Sequence, residues 1–267
     1  MHSPFLSTAL EAAKAAAEVI RRYYQRNLEV VIKADKSPVT QADVETEKVI
    51  RGIISGRFPD HGFYGEETGQ SAIDAEYLWL VDPIDGTKAF VREYPFFSTQ
   101  IALMHRGKLI VGVSSAPAYG ELAYAQLPHS VSGSDLQPTA YSLLAVLNER
   151  PINVSDIATI EGAALSAGNL KTLASSPQWA QYGKLVARVN RIRGYGDFLH
   201  YHLLASGRIE AVIESDVNIL DVAALAVIVE AAGGKFTDLQ GQPLSLQTTT
   251  VLAANAHLHS KVLAALS

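Results

Sequence analysis

The run Tyr77-Leu78-Trp79-Leu80-Val81 is apolar throughout and stops abruptly at Asp82-Pro83-Ile84-Asp85-Gly86-Thr87. By length and composition the first five residues read as a core strand. Pro83 has no N–H to give to a sheet ladder, so the strand is expected to end before it. Such a strand delivers two carboxylates, Asp82 and Asp85, to one end of a buried sheet. Gly86-Thr87 can then open a turn or a helix whose first backbone amides favour an anion. Oxygen ligands for a hard cation thus stand beside amides suited to phosphate. The alternative is a turn and nothing more, since Asp-Pro and Asp-Gly are common turn dipeptides.

A buried strand needs a core around it. The chain has 267 residues, 48% of them apolar, enough for one large domain or two smaller ones. It has no cysteine, which excludes disulfides, thiolate catalysis, zinc–sulfur sites and iron–sulfur clusters. Any metal must be held by oxygen or imidazole. A net charge of −5 argues against nucleic acid or an anionic membrane as the main partner. Glu11, Lys14 and Glu18 interrupt the N-terminal alanines, so no signal-peptide core is expected there, and no apolar run approaches membrane-spanning length. The expectation is a soluble cytoplasmic protein.

Helical spacing of Leu6, Leu10, Ala13, Ala17 and Ile20 predicts a first helix over residues 4–26. Lys33 to Asp43 reads as an exposed loop, Pro38 forcing Ser37 away from helical angles. Thr40 and Asp43 resemble a capping box that starts a second helix, running to about Gly56. Phe63-Tyr64 is a short strand ending at Gly65-Glu66-Glu67. Two strands, Ser98 to Arg106 and Lys108 to Ser115, are joined by the hairpin-like Arg106-Gly107, and a third covers Glu121 to Gln126. The polar stretch from Ser130 to Ile157 is the candidate lobe boundary. Beyond it, strands are expected near 162–166, 191–194, 209–214, 235–238 and 248–253. Helices are expected near 176–187, 196–207, 221–232 and from His257 onward, Gly233-Gly234 capping the third of these. Alternating helices and hairpin-connected strands predict layered α/β sheets flanked by helices.

Asp221 lies between Ile219-Leu220 and Val222-Ala223, where a carboxylate without a partner is costly. It reads either as a helix cap or first-turn acid or as a ligand. Gly65-Glu66-Glu67, Asp82-Pro83-Ile84-Asp85-Gly86-Thr87, and Asp221-Val222-Ala223-Ala224 ahead of Ala232-Gly233-Gly234 resemble the motifs of the inositol monophosphatase-like family. The resemblance extends over nearly the whole chain and includes Pro38-Val39-Thr40-Gln41-Ala42-Asp43. It implies an α-β-α-β-α sandwich, a single fold over residues 1–267 with lobes of about 1–137 and 138–267, a homodimer, and a lithium-sensitive phosphomonoesterase using two or three Mg2+ ions. Carried over residue by residue, Glu66, Asp82 and the carbonyl of Ile84 would hold the first metal. Asp82, Asp85 and Asp221 would hold the second, and Glu66 would also touch a weakly held third. Thr87 with Asp43 would polarise the attacking water, the amides of Gly86 and Thr87 would receive the phosphate, and Glu67 would support the shell. One departure stands out: the family usually places tryptophan before the last metal aspartate, and this chain has Leu220.

After the glycine, Thr87-Lys88-Ala89-Phe90 is more similar to the histidinol-phosphate phosphatases of this superfamily than to the inositol phosphatases. Gly196-Asp197-Phe198, Leu204-Ala205-Ser206-Gly207 and Glu214-Ser215 point the same way. Asp197 and Glu214, with Asp221, are the expected substrate contacts, because an acidic pair suits the amine and imidazole of histidinol phosphate. Asp197 reads equally as a helix N-cap, and Glu214 also suits an inositol hydroxyl. Inositol 1-phosphate and a 3′-phosphoadenosine nucleotide are the alternative substrates. A regulator that binds RNA or transcription machinery is the alternative of another class. His105, His200 and His202 read as surface or packing residues, the last two on different sides of a helix. Ser114-Ser115 lacks a nucleophile elbow and Gly194-Tyr195-Gly196 is no dinucleotide fingerprint.

Overall fold

The computed structural model describes residues 2–26, 30–32, 38–128 and 144–267. The chain opens with α1 (Pro4–Tyr23), β1 (Val30–Ile32), β2 (Pro38–Thr40) and α2 (Gln41–Arg57). Then come β3 (Gly62–Gly65), β4 (Gly69–Ser71), β5 (Tyr77–Asp85), the short α3 (Thr87–Val91), β6 (Ser98–His105), β7 (Lys108–Ala116) and β8 (Glu121–Gln126). Two further strands, β9 (Ala145–Leu147) and β10 (Arg150–Ile152), precede β11 (Ala164–Ala167), α4 (Leu170–Ala174), α5 (Trp179–Val186) and β12 (Arg191–Arg193). The chain closes with α6 (Asp197–Ala205), β13 (Ala211–Ser215), α7 (Ile219–Ala231), β14 (Gly234–Thr237), β15 (Thr250–Asn255) and α8 (His259–Leu266).

The strands sort into an eight-stranded sheet, β10-β9-β8-β7-β6-β5-β3-β4, a five-stranded sheet, β12-β11-β13-β15-β14, and the small pair β1-β2. Helices fill the space on both faces of each large sheet. Leu6, Ala9, Ala13 and Ala16 of α1, with Ile50 and Ile54 of α2, bury against Trp79, Val81, Leu103 and Val111 of the first sheet. Between the sheets, Phe198 and Leu204 of α6 and Leu225 to Val229 of α7 meet Ala123 and Ala125 on one side and Val212, Val251 and Ala253 on the other. Outside the second sheet, Tyr182 and Leu185 of α5 and Val262 and Leu266 of α8 cover Leu165, Ile213 and Leu252. This is the expected α-β-α-β-α sandwich. The middle layer explains why α7 is apolar all round: eleven of its residues are buried, as a helix enclosed by two sheets requires. Among the described residues no helix is long and apolar enough to cross a membrane.

Three expectations need correction. The central strand does not end before Pro83. β5 continues to Asp85, and its register with β6 shifts between Asp82 and Asp85. Pro83 is accommodated because that irregularity asks no ladder hydrogen bond of it, and its carbonyl accepts from Thr99 Oγ1 at 2.8 Å instead. The segment before α2 is not wholly an exposed loop: residues 38–40 form β2, paired with β1, and Asp43 is fully buried in the first turn of α2. Residues 33–37 lie outside the described residues. Part of the polar stretch from 130 to 157 is sheet, since β9 and β10 extend the first sheet beyond β8. The boundary expected near residue 137 falls outside the described residues.

Candidate active site

The irregularity in β5 turns both aspartates to one place. The Ile84 amide donates to Asp82 Oδ1 at 2.9 Å, folding the chain back over Asp82. Gly86 then takes φ +86°, and a side chain there would also press on the Phe96 carbonyl at 2.8 Å. Only glycine satisfies both demands. The helix α3 that follows has no side-chain cap at its start. Thr87, its first residue, sets its hydroxyl 3.0 Å from the Ile84 carbonyl and 3.2 Å from Asp43 Oδ1.

Two helix starts contribute the remaining aspartates by one local device. Asp43 is the third residue of α2, and its Oδ2 accepts from the Thr40 amide at 2.8 Å and the Thr40 hydroxyl at 2.7 Å. Asp221 is the third residue of α7, and its two oxygens accept from the Asn218 amide at 2.8 Å and the Asn218 side chain at 2.6 Å. Each is the acid of a capping box, so the cap and ligand readings of Asp221 are compatible.

Asp82, Asp85 and Asp221 each place a carboxylate oxygen within 4.8 Å of the others. Burial, then Glu66, Asp85, Asp221 and Asp43, hold the Asp82 carboxyl well above its usual range. Burial, then Asp197, Asp221, Glu214 and Glu66, do the same to Asp85. Asp221 is pushed up to about 7, chiefly by burial, with the Asn218 hydrogen bonds pulling the other way. Carboxylates crowded like this are stable as anions only around a cation. The donor set is all oxygen, as a hard divalent ion requires. Glu66 stands outside the trio but acts on all three aspartates.

The loop that carries Glu66 is fixed by a residue the sequence did not single out. Glu47, fully buried on α2, accepts from the amides of Glu67 and Thr68, both at 2.7 Å. Glu67 thus joins this arrangement through its backbone. Asn218 and Ser98 were also missed. Asn218 was legible, since Asn218-x-x-Asp221 repeats the pattern of Thr40-x-x-Asp43. Ser98 Oγ lies 3.4 Å from Asp85 Oδ2 in a strand that gives no local sign of it.

Asp197, near enough to Asp85 to raise its carboxyl, is the first residue of α6, after Gly196, so its carboxylate is not the N-cap of that helix. Burial and the Glu214 carboxylate push it up to about 6, opposed by His200 and Lys88. Glu214 on β13 is nearly buried, and its Oε2 accepts from His200 Nε2 at 3.0 Å and the Tyr201 hydroxyl at 2.7 Å. The histidines are therefore not surface residues. His200 and His202 are both buried on opposite faces of α6, the latter between Glu121 at 2.8 Å and Ser114 at 2.9 Å. His105 bonds Glu76 at 3.0 Å.

The family model described as "Inositol monophosphatase family" matches residues 1–267. The chain belongs to the inositol monophosphatase family. Among relatives in that family, it is 36% identical to the histidinol-phosphatase of Mycobacterium tuberculosis over 265 residues, covering 98% of this chain and 97% of that protein. It is 33% identical to the histidinol-phosphatase of Chlorobaculum parvum, covering 99% and 97%. Of solved structures, an inositol monophosphatase from Zymomonas mobilis superposes with a TM-score of 0.82 at 30% identity, covering 99% of both chains.

Proposed function

We propose that this phosphomonoesterase hydrolyses histidinol phosphate to histidinol and phosphate with the help of Mg2+. The observation that carries the reading is the joint placement of two acidic groups: the trio Asp82, Asp85 and Asp221, and the neighbouring pair Asp197 and Glu214, both of which raise the Asp85 carboxyl. The trio, with Glu66 and the Ile84 carbonyl, would hold two or three magnesium ions. Bound there, magnesium supplies positive charge that makes water a stronger acid and offsets the charge developing on the phosphate. The chain's own part is proton handling and orientation. Thr87 and Asp43 are hydrogen-bonded, and burial raises the Asp43 carboxyl, which makes it a better proton acceptor for water held at the Thr87 hydroxyl. The first amides of α3, at Gly86 and Thr87, would receive phosphate oxygens.

The pair at Asp197 and Glu214 favours an ester whose alcohol carries positive charge, and the histidinol-phosphatases among the relatives agree with that choice. Inositol 1-phosphate is the second reading, favoured by the overall likeness to the Zymomonas mobilis enzyme. The homodimer implied by the family belongs to the same reading and is measured by light scattering. Phosphate release from histidinol phosphate, inositol 1-phosphate and adenosine 3′,5′-bisphosphate, each with magnesium and with a chelator, tests the proposal. The expected result is magnesium-dependent release with the highest kcat/KM on histidinol phosphate. Faster release from inositol 1-phosphate replaces the substrate, and release unaffected by the chelator removes the metal role.

A further inference from the structure

Glu214 is built into the protein more firmly than a substrate contact on a surface loop would be. It lies on β13, paired with β11 and β15 in the second sheet, and is 6% exposed. A side chain at Gly168, just after β11, would collide with its carboxylate, so the strand end has been left bare to make room. The hydrogen bonds around it have one consistent direction. The Tyr195 amide donates to Ser166 Oγ at 3.2 Å. Ser166 Oγ lies 3.3 Å from His200 Nδ1, and His200 Nε2 lies 3.0 Å from Glu214 Oε2. A carboxylate only accepts, so His200 carries its proton on Nε2 and donates it to Glu214. Nδ1 is then an acceptor, and the Ser166 hydroxyl donates to it. The Tyr201 hydroxyl adds a second donor to the same Glu214 oxygen at 2.7 Å. Ser166, His200 and Tyr201 are at most 1% exposed, so water does not substitute for these bonds.

The same helix supplies the other half of the acidic pair. Asp197, His200 and Tyr201 all lie on α6, and Tyr195 lies on the connection that leads into it. Asp197 adopts φ +46°, a conformation costly for a residue with a side chain. Among the described residues its carboxylate accepts no hydrogen bond. Glu214 is thus saturated on one oxygen by donors from α6, while Asp197 is placed by the start of α6 with its carboxylate uncommitted.

We propose that Ser166, His200 and Tyr201 are positioning residues that lock the Glu214 carboxylate beside Asp197, and that this lock sets the preference for phosphate esters bearing a cationic group over neutral ones. The inference rests on the cationic-ester reading given above and goes further by naming the residues that enforce it. None of the three needs to touch substrate. With the lock in place, both carboxylates present fixed negative charge to an incoming cation. Without it, Glu214 turns toward solvent or away from Asp197, and the charge is no longer pre-organised.

The test compares histidinol phosphate with glycerol 2-phosphate, a neutral-alcohol ester, in full steady-state kinetics. His200→Leu removes the relay at similar volume, and Tyr201→Phe removes one donor with little risk to folding. Loss of a hydrogen bond to a charged group predicts a KM for histidinol phosphate raised about ten-fold in His200→Leu and less in Tyr201→Phe. The kcat and both constants for glycerol 2-phosphate should stay near wild type, and His200→Gln, which retains an N–H donor, should recover part of the loss. Equal KM changes on both esters, or an unchanged preference in Tyr201→Phe and in folded His200→Leu, overturns the positioning role while leaving the substrate reading intact. A wild-type protein with no preference between the two esters overturns both.

Discussion

The trio Asp82, Asp85 and Asp221 and the single carboxylate of Glu214 are balanced in opposite ways. Asp82, Asp85 and Asp221 are raised by burial and by one another. Glu214 is buried, and two donors, His200 Nε2–H and the Tyr201 hydroxyl, converge on one of its oxygens. Asp221 sits between the extremes, since Asn218 gives it two hydrogen bonds that oppose the upward push. The trio is left for a cation to complete, whereas Glu214 is completed by the chain itself. A carboxylate cluster left in mutual repulsion is shaped to bind metal, whereas one already satisfied by side chains is shaped to hold an orientation.

The sharpest way to break this contrast is to neutralise one member of the trio and, separately, Glu214. Asp85→Asn should reduce turnover by roughly a thousand-fold or more, because several kcal/mol of charge stabilisation depend on the trio. It should also raise the Tm of the protein in chelator, since it relieves repulsion. Glu214→Leu should do the reverse. It strands two buried donors, at roughly 1–3 kcal/mol each, and so lowers the Tm in chelator. Turnover of glycerol 2-phosphate should survive at a measurable rate. Thermal melts in chelator read both signs at once, and a Tm that falls in Asp85→Asn would show that the trio is not under the strain assigned to it.

Titration offers a gentler test of the same difference. The Asp221 carboxyl lies near 7 in the folded chain against 3.8 for the ordinary group, and Asp82 and Asp85 are raised as well. Between those values the metal-free folded state holds more protons than the unfolded chain, so its stability falls as pH rises. Added magnesium replaces those protons, and its stabilising effect should therefore be larger at pH 8 than at pH 6. The difference should amount to several degrees, given about 2–4 °C per kcal/mol in a chain of this size. An equal magnesium-induced rise at both pH values would mean that the metal is held elsewhere.

How much of this was legible in the sequence follows the range of the interactions. Local rules found the capping box at Thr40 and Asp43, the Arg106-Gly107 turn, whose two residues both take positive φ, and the apolar α7 stopped at Gly233. They failed at Pro83 because the sheet tolerates proline where its register shifts, and that shift depends on how β5 pairs with β6 rather than on the residues of β5 alone. Asp82 and Asp85 were legible as a pair at a strand end, but that Asp221 joins them was visible only through the family motifs. Asp221 lies on α7, more than a hundred residues beyond the two on β5, and no periodicity links it to them. Glu47, His200 and Tyr201 were invisible for the same reason. Each looks like an ordinary helical residue until its partner, the loop at 67–68 or the β13 carboxylate, is brought against it.

Asp197 gives the smallest and most selective test, since it belongs to neither kind of balance. It is raised to about 6 by burial and Glu214, lies outside the trio, and its carboxylate accepts no hydrogen bond among the described residues. Asp197→Asn keeps the shape and removes the charge, and asparagine tolerates positive φ at least as well as aspartate. The fold and metal binding should therefore persist, with a Tm within about 1–2 °C of wild type. What should change is discrimination. The KM for histidinol phosphate should rise several-fold to ten-fold, because one of two fixed charges facing the cation is lost, while the KM for inositol 1-phosphate should move by less than about two-fold. Equal changes on the two esters would assign Asp197 to general shape rather than to charge recognition, and the acidic pair would reduce to Glu214 alone.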